Sequence, residues 1–395
     1  MIYIKIVWLL LHLCFGLVQS ARILGIMYMP SFSHQIVLRP LWKELSLKGH
    51  QVTVLTTDPI NDPHLTNLTE IDLKESYILW GNLSLFHLID IPAWRVWQSF
   101  MQFSDQLMDI QLQNPKVQKL INNPNEHFDL LIIEGFQSAH YAFSHKFKCP
   151  FISVLTLDAT AVLHHEIGNP THYALYPDYT LPFAEPLTFY QQLESLHYNL
   201  YVRYTNYYYL LPSQQRLVEK HFGKHYPPIQ EIYKNYSIFF LNTNSVLHPI
   251  RPLLPNVVQI WGKNHITKSS PLPTDLEKVL NESSNGVIYF SLGSNVKSKY
   301  ISSDIMQAII SVFKELPYTT LWKFEDEHLP NKPDNVIISK WFPQQDILKH
   351  RNIKLFITQG GLQSFEEALE AKVPLLGIPV LGDQKSNVLR IANKD

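Results

Sequence analysis

The chain has 395 residues, which exceeds the usual size of one hydrophobic core, so two domains of about 150–200 residues each are expected. Hydrophobic residues make up 46% and charged residues 17%, a composition that excludes a disordered chain. The 33 basic and 34 acidic residues give a net charge of −1, so no nucleic-acid partner is predicted.

The first twenty residues are predicted to be a cleavable secretory signal peptide. Lys5 supplies the charged flank, residues 6–18 the apolar stretch, and residues 18–20 a small-residue cleavage site before Ala21. A buried strand or a membrane anchor is the alternative. Beyond Ala21 no apolar run approaches the roughly 18–20 residues that span a bilayer, so the mature chain as given is expected to be soluble.

Cysteine usage and glycosylation signals fit the secretory pathway. Cys14 would leave with the signal, so an internal disulfide is excluded and Cys149 is predicted to be a buried small hydrophobe. Four acceptors for N-linked glycans have the pattern Asn-x-Ser/Thr, at Asn67, Asn82, Asn235 and Asn281. These features predict exposure to the lumen of the endoplasmic reticulum.

The mature chain begins with a pattern typical of a βαβ unit. A buried strand is predicted at residues 22–29, a helix around residues 38–45 and a second strand at residues 51–56. Pro40 predicts a late start or a kink in that helix. Residues 31–34 are predicted to form the turn between the first strand and the helix.

Further apolar runs predict more buried strands, at residues 128–133 and 150–157. The segment from Gly168 to Tyr233 is rich in Pro, Tyr and His without a clean period. Loops and irregular helices around a cleft are expected there.

The second half of the chain alternates regularly between strands and helices. Strands are predicted at residues 287–291, 319–324, 335–339, 353–358 and 374–378, and helices at residues 303–316, 344–350 and 363–371. The pattern predicts an α/β fold of two doubly wound, Rossmann-like domains. We place them at residues 21–247 and 271–395, the second incomplete, with a linker at residues 248–270.

Ligands of doubly wound sheets bind beyond the carboxyl ends of the strands, so the residues that follow the strands are the first candidates for a site. Polar residues occupy five of these positions: His34, Glu134, and residues 291–294, 358–361 and 382–384.

One long run closely resembles the signature of the UDP-glycosyltransferase family. It comprises Trp-Phe-Pro-Gln-Gln at residues 341–345, the segment 356–367 around Gln-Gly-Gly, residues 374–379, and Asp383-Gln384. The resemblance extends through residues 31–59 and 286–294 and so covers nearly the whole mature chain. Invertebrate members look most similar, because vertebrate members have His-Gly-Gly where Gln359 begins Gln-Gly-Gly here.

The resemblance implies a GT-B architecture, with an N-terminal acceptor domain and a C-terminal UDP-sugar domain facing a cleft. The residue types agree with this interpretation. The Trp341 indole can stack on uracil, and the Gln344 amide offers a donor and an acceptor to the base edge. A core tryptophan beside Pro343 is the alternative for Trp341.

The diphosphate is expected at Gly360 and Gly361, which permit close backbone approach, and at the positive end of the helix that starts near Gln363. Ser294 is placed by resemblance on the opposite side of the same diphosphate. Gln359 can donate an amide N–H to phosphate, although it cannot carry a proton charge to the leaving group as a histidine would.

Glu367 has two predicted roles of similar weight. Its carboxylate suits the ribose diol. Alternatively, Ser364 and Glu367 have the spacing of a capping box at a helix start. Ser364 itself belongs to the donor signature, and Asp383 and Gln384 resemble the pair that grips the hydroxyls of the transferred sugar.

On the acceptor side, a hydroxyl group that attacks the anomeric carbon must lose a proton, and an imidazole is the natural base. His34 resembles the family's catalytic histidine. Glu134 stands where the family has the acidic residue that orients the histidine, although aspartate is the more common residue there.

The sequence therefore predicts an inverting transferase that moves glucose, or glucuronic acid, from UDP to a small lipophilic acceptor. No metal-ligand spacing occurs, so neither a metal nor a cofactor beyond the UDP-sugar is expected. Family members continue past residue 395 into a membrane anchor, so a truncated, non-catalytic form that binds ligand or a full-length member is the alternative. The oligomeric state, homomeric or heteromeric, stays open. A nicotinamide dehydrogenase lacks its glycine fingerprint here.

Overall fold

The computed structural model describes residues 20–79, 86, 89–261 and 265–393. The predicted signal peptide, apart from Ser20, and the glycosylation acceptor Asn82 lie outside the described residues.

The first half of the chain forms a parallel sheet of seven strands in the order β3-β2-β1-β4-β5-β6-β7. The strands are β1 (Arg22–Met27), β2 (Gln51–Thr56), β3 (Leu68–Asp72), β4 (Leu130–Glu134), β5 (Phe151–Leu155), β6 (Tyr236–Leu241) and β7 (Val257–Gln259). The order reverses at β1 and β4, which creates a crevice at the carboxyl ends of these two strands.

The second half forms a parallel sheet of five strands with the same kind of reversal, in the order β10-β9-β8-β11-β12. The strands are β8 (Val287–Ser291), β9 (Thr319–Lys323), β10 (Val336–Ser339), β11 (Ile353–Thr358) and β12 (Leu375–Gly377). The predicted pair of doubly wound, Rossmann-like domains is thus confirmed.

Thirteen α-helices connect these strands in the part of the chain that is described. They are α1 (Phe32–Leu47), α2 (Ala93–Gln113), α3 (Pro115–Asn122), α4 (Ala142–Phe147), α5 (Ala161–Glu166), α6 (Phe189–Thr205), α7 (Leu211–His221), α8 (Ile229–Tyr233), α9 (Thr274–Glu282), α10 (Ser303–Glu315), α11 (Gln344–Leu348), α12 (Leu362–Ala371) and α13 (Gln384–Ala392). Apolar cores lie on both faces of each sheet.

Helix α1 corrects the prediction for the first βαβ unit. It starts at Phe32, with Ser31 as its N-cap, and continues through Pro40. Residues 32–34 are therefore helical rather than a turn, and Pro40 does not delay the start. Burial of Val37, Leu38 and Trp42 on the sheet offsets the backbone hydrogen bond that proline removes.

The segment 168–233 is more regular than predicted. Helix α6 opens with a capping box between Thr188 and Gln191, and a π-helical turn at residues 206–210 joins it to α7. Exposed aromatic side chains, including Phe189 and Tyr190, obscure the apolar period from which a helix would be recognised.

The predicted linker also needs correction. Strand β7, at residues 257–259, pairs with β6 and lies in the first sheet, so residues 248–270 are not all linker. Cys149 is buried and free, as predicted. Over the described ranges, no helix is long and apolar enough to cross a membrane.

One close contact fixes α1 against the sheet. A Cβ atom on Gly25 of β1 would lie 2.8 Å from Cη2 of Trp42. Gly25→Ala is therefore expected to lower the free energy of unfolding by about 1–3 kcal/mol, measured by denaturant titration. The loss should shrink in a Trp42→Phe background, where the smaller ring leaves room. An equal loss in both backgrounds would show that the ring is not its cause.

Candidate active site

The carboxyl ends of the two sheets border one cavity of about 440 Å³. The structure brings together nearly all of the predicted site residues on its walls: His34, Ser294, Trp341, Gln344, Gln359, Gly361, Gln363, Ser364, Glu367, Asp383 and Gln384. Glu134 lies behind His34 and is fully buried. Among the described residues, no group of His, Cys, Asp and Glu could hold a metal ion.

His34 is oriented by a buried carboxylate. Its Nδ1 atom lies 2.5 Å from Oε1 of Glu134, whose Oε2 accepts the backbone N–H of Met29 at 3.1 Å. Because an ionised carboxylate only accepts hydrogen bonds, this contact places the proton of neutral His34 on Nδ1. The other ring nitrogen, Nε2, is then the unprotonated one and can accept a proton.

Thr156 is a site residue that the sequence analysis missed. Its Oγ1 atom lies 2.9 Å from His34 Nδ1, and its carbonyl oxygen accepts Nε2–H of Gln363 at 2.9 Å. Thr156 directly follows β5 and lies at the same carboxyl edge of the sheet as Glu134. A polar residue at the end of a predicted strand was the sequence feature that could have identified it. Gln363 is thereby engaged with the first domain.

The predicted diphosphate region has the expected backbone geometry. Gly361 is the N-cap of α12 and has no side-chain cap, so N–H groups of the first turn lack intrahelical partners. The capping-box alternative for Ser364 and Glu367 is wrong, because Ser364 is already the third helical residue.

The side chain of Gln359 packs against Gly293, a glycine of the loop that follows β8. Gly293 has φ +77°, and a Cβ atom there would lie 2.1 Å from Nε2 of Gln359. The Oε1 atom of Gln359 accepts the Thr358 hydroxyl at 3.2 Å. The two loops that border the predicted diphosphate site are thus in direct contact.

Gln344 and Glu367 are paired with each other in this structure. Gln344 donates from Nε2 to Glu367 Oε2 at 2.6 Å and to Ser364 Oγ at 3.2 Å, while its Oε1 accepts the Tyr289 hydroxyl at 3.1 Å. Gln345 donates to Glu367 Oε1 at 3.0 Å. A nucleotide that used both Gln344 and Glu367 would have to exchange this internal hydrogen bond for its own.

Trp341 is 55% exposed, which excludes the core alternative. Its ring contacts Phe32 edge to face, with 5.1 Å between centroids, across the domain boundary. A second contact spans the same boundary, from Asn295 Nδ2 to Ser31 Oγ at 2.8 Å. These contacts place the start of α1 beside the predicted uracil site.

Lys323 is a second residue that the sequence analysis missed. It is the last residue of β9, lines the cavity, and donates to Glu325 Oε1 at 2.7 Å. Its place at the carboxyl end of a strand was the signal. Its ammonium group is paired with the Glu325 carboxylate, so its charge is already balanced within the protein.

Asp383 and Gln384 stand at the start of α13. Gln384 Oε1 accepts the backbone N–H groups of Val380 and Leu381, at 2.9 and 2.8 Å. Asp383 accepts from Asn387 Nδ2 at 2.6 Å. Desolvation raises the pKa of the Asp383 carboxyl to about 6, although the Asn387 hydrogen bond and the charges of His34 and Arg390 act in the opposite direction.

Two doubly wound domains with a nucleotide-sized cavity between their strand ends define the GT-B class of glycosyltransferases. The chain belongs to the family described as "UDP-glucoronosyl and UDP-glucosyl transferase", whose model matches residues 25–395. It is a UDP-glycosyltransferase, and the predicted family is confirmed.

Relatives from insects and insect viruses are similar over most of the chain. UDP-glucosyltransferase 2 of Dactylopius coccus is 35% identical over 376 residues, which cover 94% of this chain and 72% of that protein. The ecdysteroid UDP-glucosyltransferase of Spodoptera littoralis nuclear polyhedrosis virus is 31% identical, with 93% and 75% covered.

Solved structures support the fold. The calicheamicin glycosyltransferase CalG4 superposes with a TM-score of 0.59 at 14% identity, covering 95% of this chain and 84% of that one. The glycosyltransferase TcCGT1, solved with UDP, gives a TM-score of 0.56 at 16% identity, with 95% and 84% covered.

The raised pKa of Asp383 predicts a pH-dependent cost to stability. The pKa of the Asp383 carboxyl is about 6 in the folded protein and has its ordinary value of 3.8 in the unfolded chain. Ionisation of Asp383 therefore opposes folding, and this cost increases as the pH rises from 3.8 to about 6. Asp383→Asn should therefore be more stable than the wild type at about pH 7.5, with most of the difference gone at about pH 4.

Denaturant titration at both pH values measures the effect, and Asp334→Asn, at an exposed aspartate, is the matched control. A stability difference independent of pH would contradict the explanation.

Proposed function

We propose that the protein transfers a hexose, glucose before glucuronic acid, from UDP to a hydroxyl of a small lipophilic acceptor, with inversion at the anomeric carbon. The observation that carries the proposal is the His34–Glu134 pair, which borders the same cavity as the donor residues. No cofactor beyond the UDP-sugar is required.

The donor is assigned to the second domain. Trp341 stacks on the uracil, Gln344 meets the base edge, and Glu367 accepts the ribose hydroxyls. The start of α12, Gln359 and Ser294 hold the diphosphate. Asp383 and Gln384 bind the hydroxyls of the sugar. The side-chain oxygen of Gln384 accepts two backbone N–H groups of the preceding loop, and its NH₂ group is the part that donates to the sugar. Solved structures of the same fold include a complex with UDP, which agrees with this assignment.

The reaction requires one proton transfer and one displacement. The acceptor hydroxyl gives its proton to Nε2 of His34, and its oxygen forms a bond to the anomeric carbon. The bond from that carbon to the diphosphate oxygen breaks, and UDP leaves with the electron pair. Glu134 stabilises the resulting imidazolium, while the α12 N-terminus and Gln359 stabilise the leaving diphosphate.

The acceptor is assigned to the apolar part of the cavity beside His34, where Met29, Phe32, Ile36 and Leu157 contribute the walls. Residues 168–233, for which loops and irregular helices around a cleft were predicted, contribute no side chain to the walls of this cavity. Several relatives are named ecdysteroid UDP-glucosyltransferases, which supports both glucose and an apolar acceptor.

We further propose that the protein resides in the lumen of the endoplasmic reticulum. The acceptors Asn235 and Asn281 are exposed and compatible with glycans, whereas the Asn67 amide donates to the carbonyl of Ser46 at 3.1 Å. The full set of donor residues around one cavity favours an enzyme over the non-catalytic alternative.

The reaction itself is tested by UDP release with a phenolic acceptor, together with calorimetry of UDP binding. Transfer from UDP-glucose in preference to UDP-glucuronic acid is expected, and the β-linkage of the product is read by NMR. Absence of heat with UDP, or an α-linked product, would overturn the proposal.

His34→Ala is expected to lower kcat by about 10²–10⁴-fold, because the acceptor loses its base, while UDP affinity changes little. His140→Gln, at a buried histidine outside the cavity, is the control. A His34→Ala variant that keeps the kcat of the wild type would contradict the assignment of His34 as the base.

A further inference from the structure

A buried histidine bridges two carboxylates beside the donor site. His265, which is 1% exposed, lies between β7 and α9. Its Nδ1 atom is 3.4 Å from Glu366 Oε2, and its Nε2 atom is 3.3 Å from Glu367 Oε1. Both glutamates are buried residues of α12. Neither the family signature nor the predicted linker drew attention to this residue.

The surroundings of this ring favour its charged form. Both ring nitrogens face a carboxylate oxygen at ion-pair distance, and a neutral imidazole, with one N–H group, would present a lone pair to one of the two carboxylates. Burial alone would lower the pKa of His265, but the interaction of its ring N–H with the Glu367 carboxylate and the negative charges of Glu366 and Glu367 raise that pKa above its ordinary value.

The backbone around His265 is fixed by hydrogen bonds with side chains of α11. Gln345 donates to the His265 carbonyl at 3.1 Å and accepts the Thr267 N–H at 3.0 Å. Asp346 accepts the Ser270 N–H at 2.9 Å, and Lys349 donates to the Thr267 carbonyl at 3.2 Å. The charged side chains of α11 thus contact the neighbouring backbone, and Glu366 and Glu367 are the charged groups that face the ring.

We propose that His265 is a positioning residue of the donor site: as a cation shared by Glu366 and Glu367, it fixes the rotation of the Glu367 carboxylate toward the ribose. The inference rests on the role proposed above for Glu367. Without the cation, two adjacent carboxylates buried on one helix would repel each other. The amides of Gln344 and Gln345 cannot supply that charge.

The ribose diol gives this proposal a specific readout. If His265 acts through Glu367, the wild-type protein should bind UDP more tightly than 2′-deoxy-UDP, and His265→Gln should lose about tenfold of UDP affinity and most of that preference. With UDP-sugar as donor, KM should rise while kcat changes far less. Glu367→Gln should show the same loss, and the double variant should be no worse than either single variant.

Binding measured at several pH values distinguishes an effect of the positive charge on His265 from an effect of the shape of its ring. Since the positive charge is present below the raised pKa and is lost above it, the wild-type preference for UDP over 2′-deoxy-UDP should fall at alkaline pH. In His265→Gln the preference should be small and independent of pH. His140→Gln is the matched control, since His140 is equally buried, packs on Tyr28 and does not line the cavity.

Calorimetry with both nucleotides decides the outcome. An undiminished, pH-dependent preference for UDP in His265→Gln would overturn the inference, whatever its effect on thermal stability. A Glu367→Gln variant that retains the preference would refute the role of Glu367 in ribose binding. Absence of UDP binding by the wild-type protein would instead refute the proposed donor site as a whole.

Discussion

The hydrogen bond between His34 and the buried carboxylate of Glu134 is the constraint around which the cleft is organised. A fully buried carboxylate needs partners, and this one has the imidazole on one oxygen and the Met29 N–H on the other. The imidazole is supplied by α1, which begins at Phe32, with four residues between it and the end of β1 at Met27, and the same helix start brings the Phe32 ring against Trp341 of the other domain. The His34–Glu134 hydrogen bond and one interdomain contact thus both depend on where α1 begins.

In the second domain, several of the residues proposed to bind the donor contact one another. Gln344 is tied to Glu367, and Gln359 rests against Gly293. Such internal pairing satisfies buried polar groups without water and holds side chains near their working positions. Part of the binding energy of a nucleotide must replace these hydrogen bonds, so a ligand gains less affinity from them than the contacts alone would suggest.

The sequence predicted the parts of the structure that local patterns control. Many of the buried parallel strands are continuous apolar runs, so nine of the twelve described strands could be located, whereas β3, β6 and β7 of the first sheet were missed. The signature from Trp341 to Gln384 placed the predicted donor residues on one cavity. Patterns failed where tertiary packing decides. Pro40 was read as a helix disruptor because its sequence context does not reveal the burial of Trp42. Thr156 and His265 escaped notice because their importance lies in contacts with residues distant in the chain.

Thr156 links the two domains at the cleft. Its hydroxyl lies beside the imidazole of His34, and its carbonyl oxygen accepts a hydrogen bond from the side chain of Gln363 at the start of α12. The position of one residue after β5 therefore bears on a histidine of the first domain and on a helix of the second, so a change of backbone at Thr156 would alter contacts on both sides of the domain boundary.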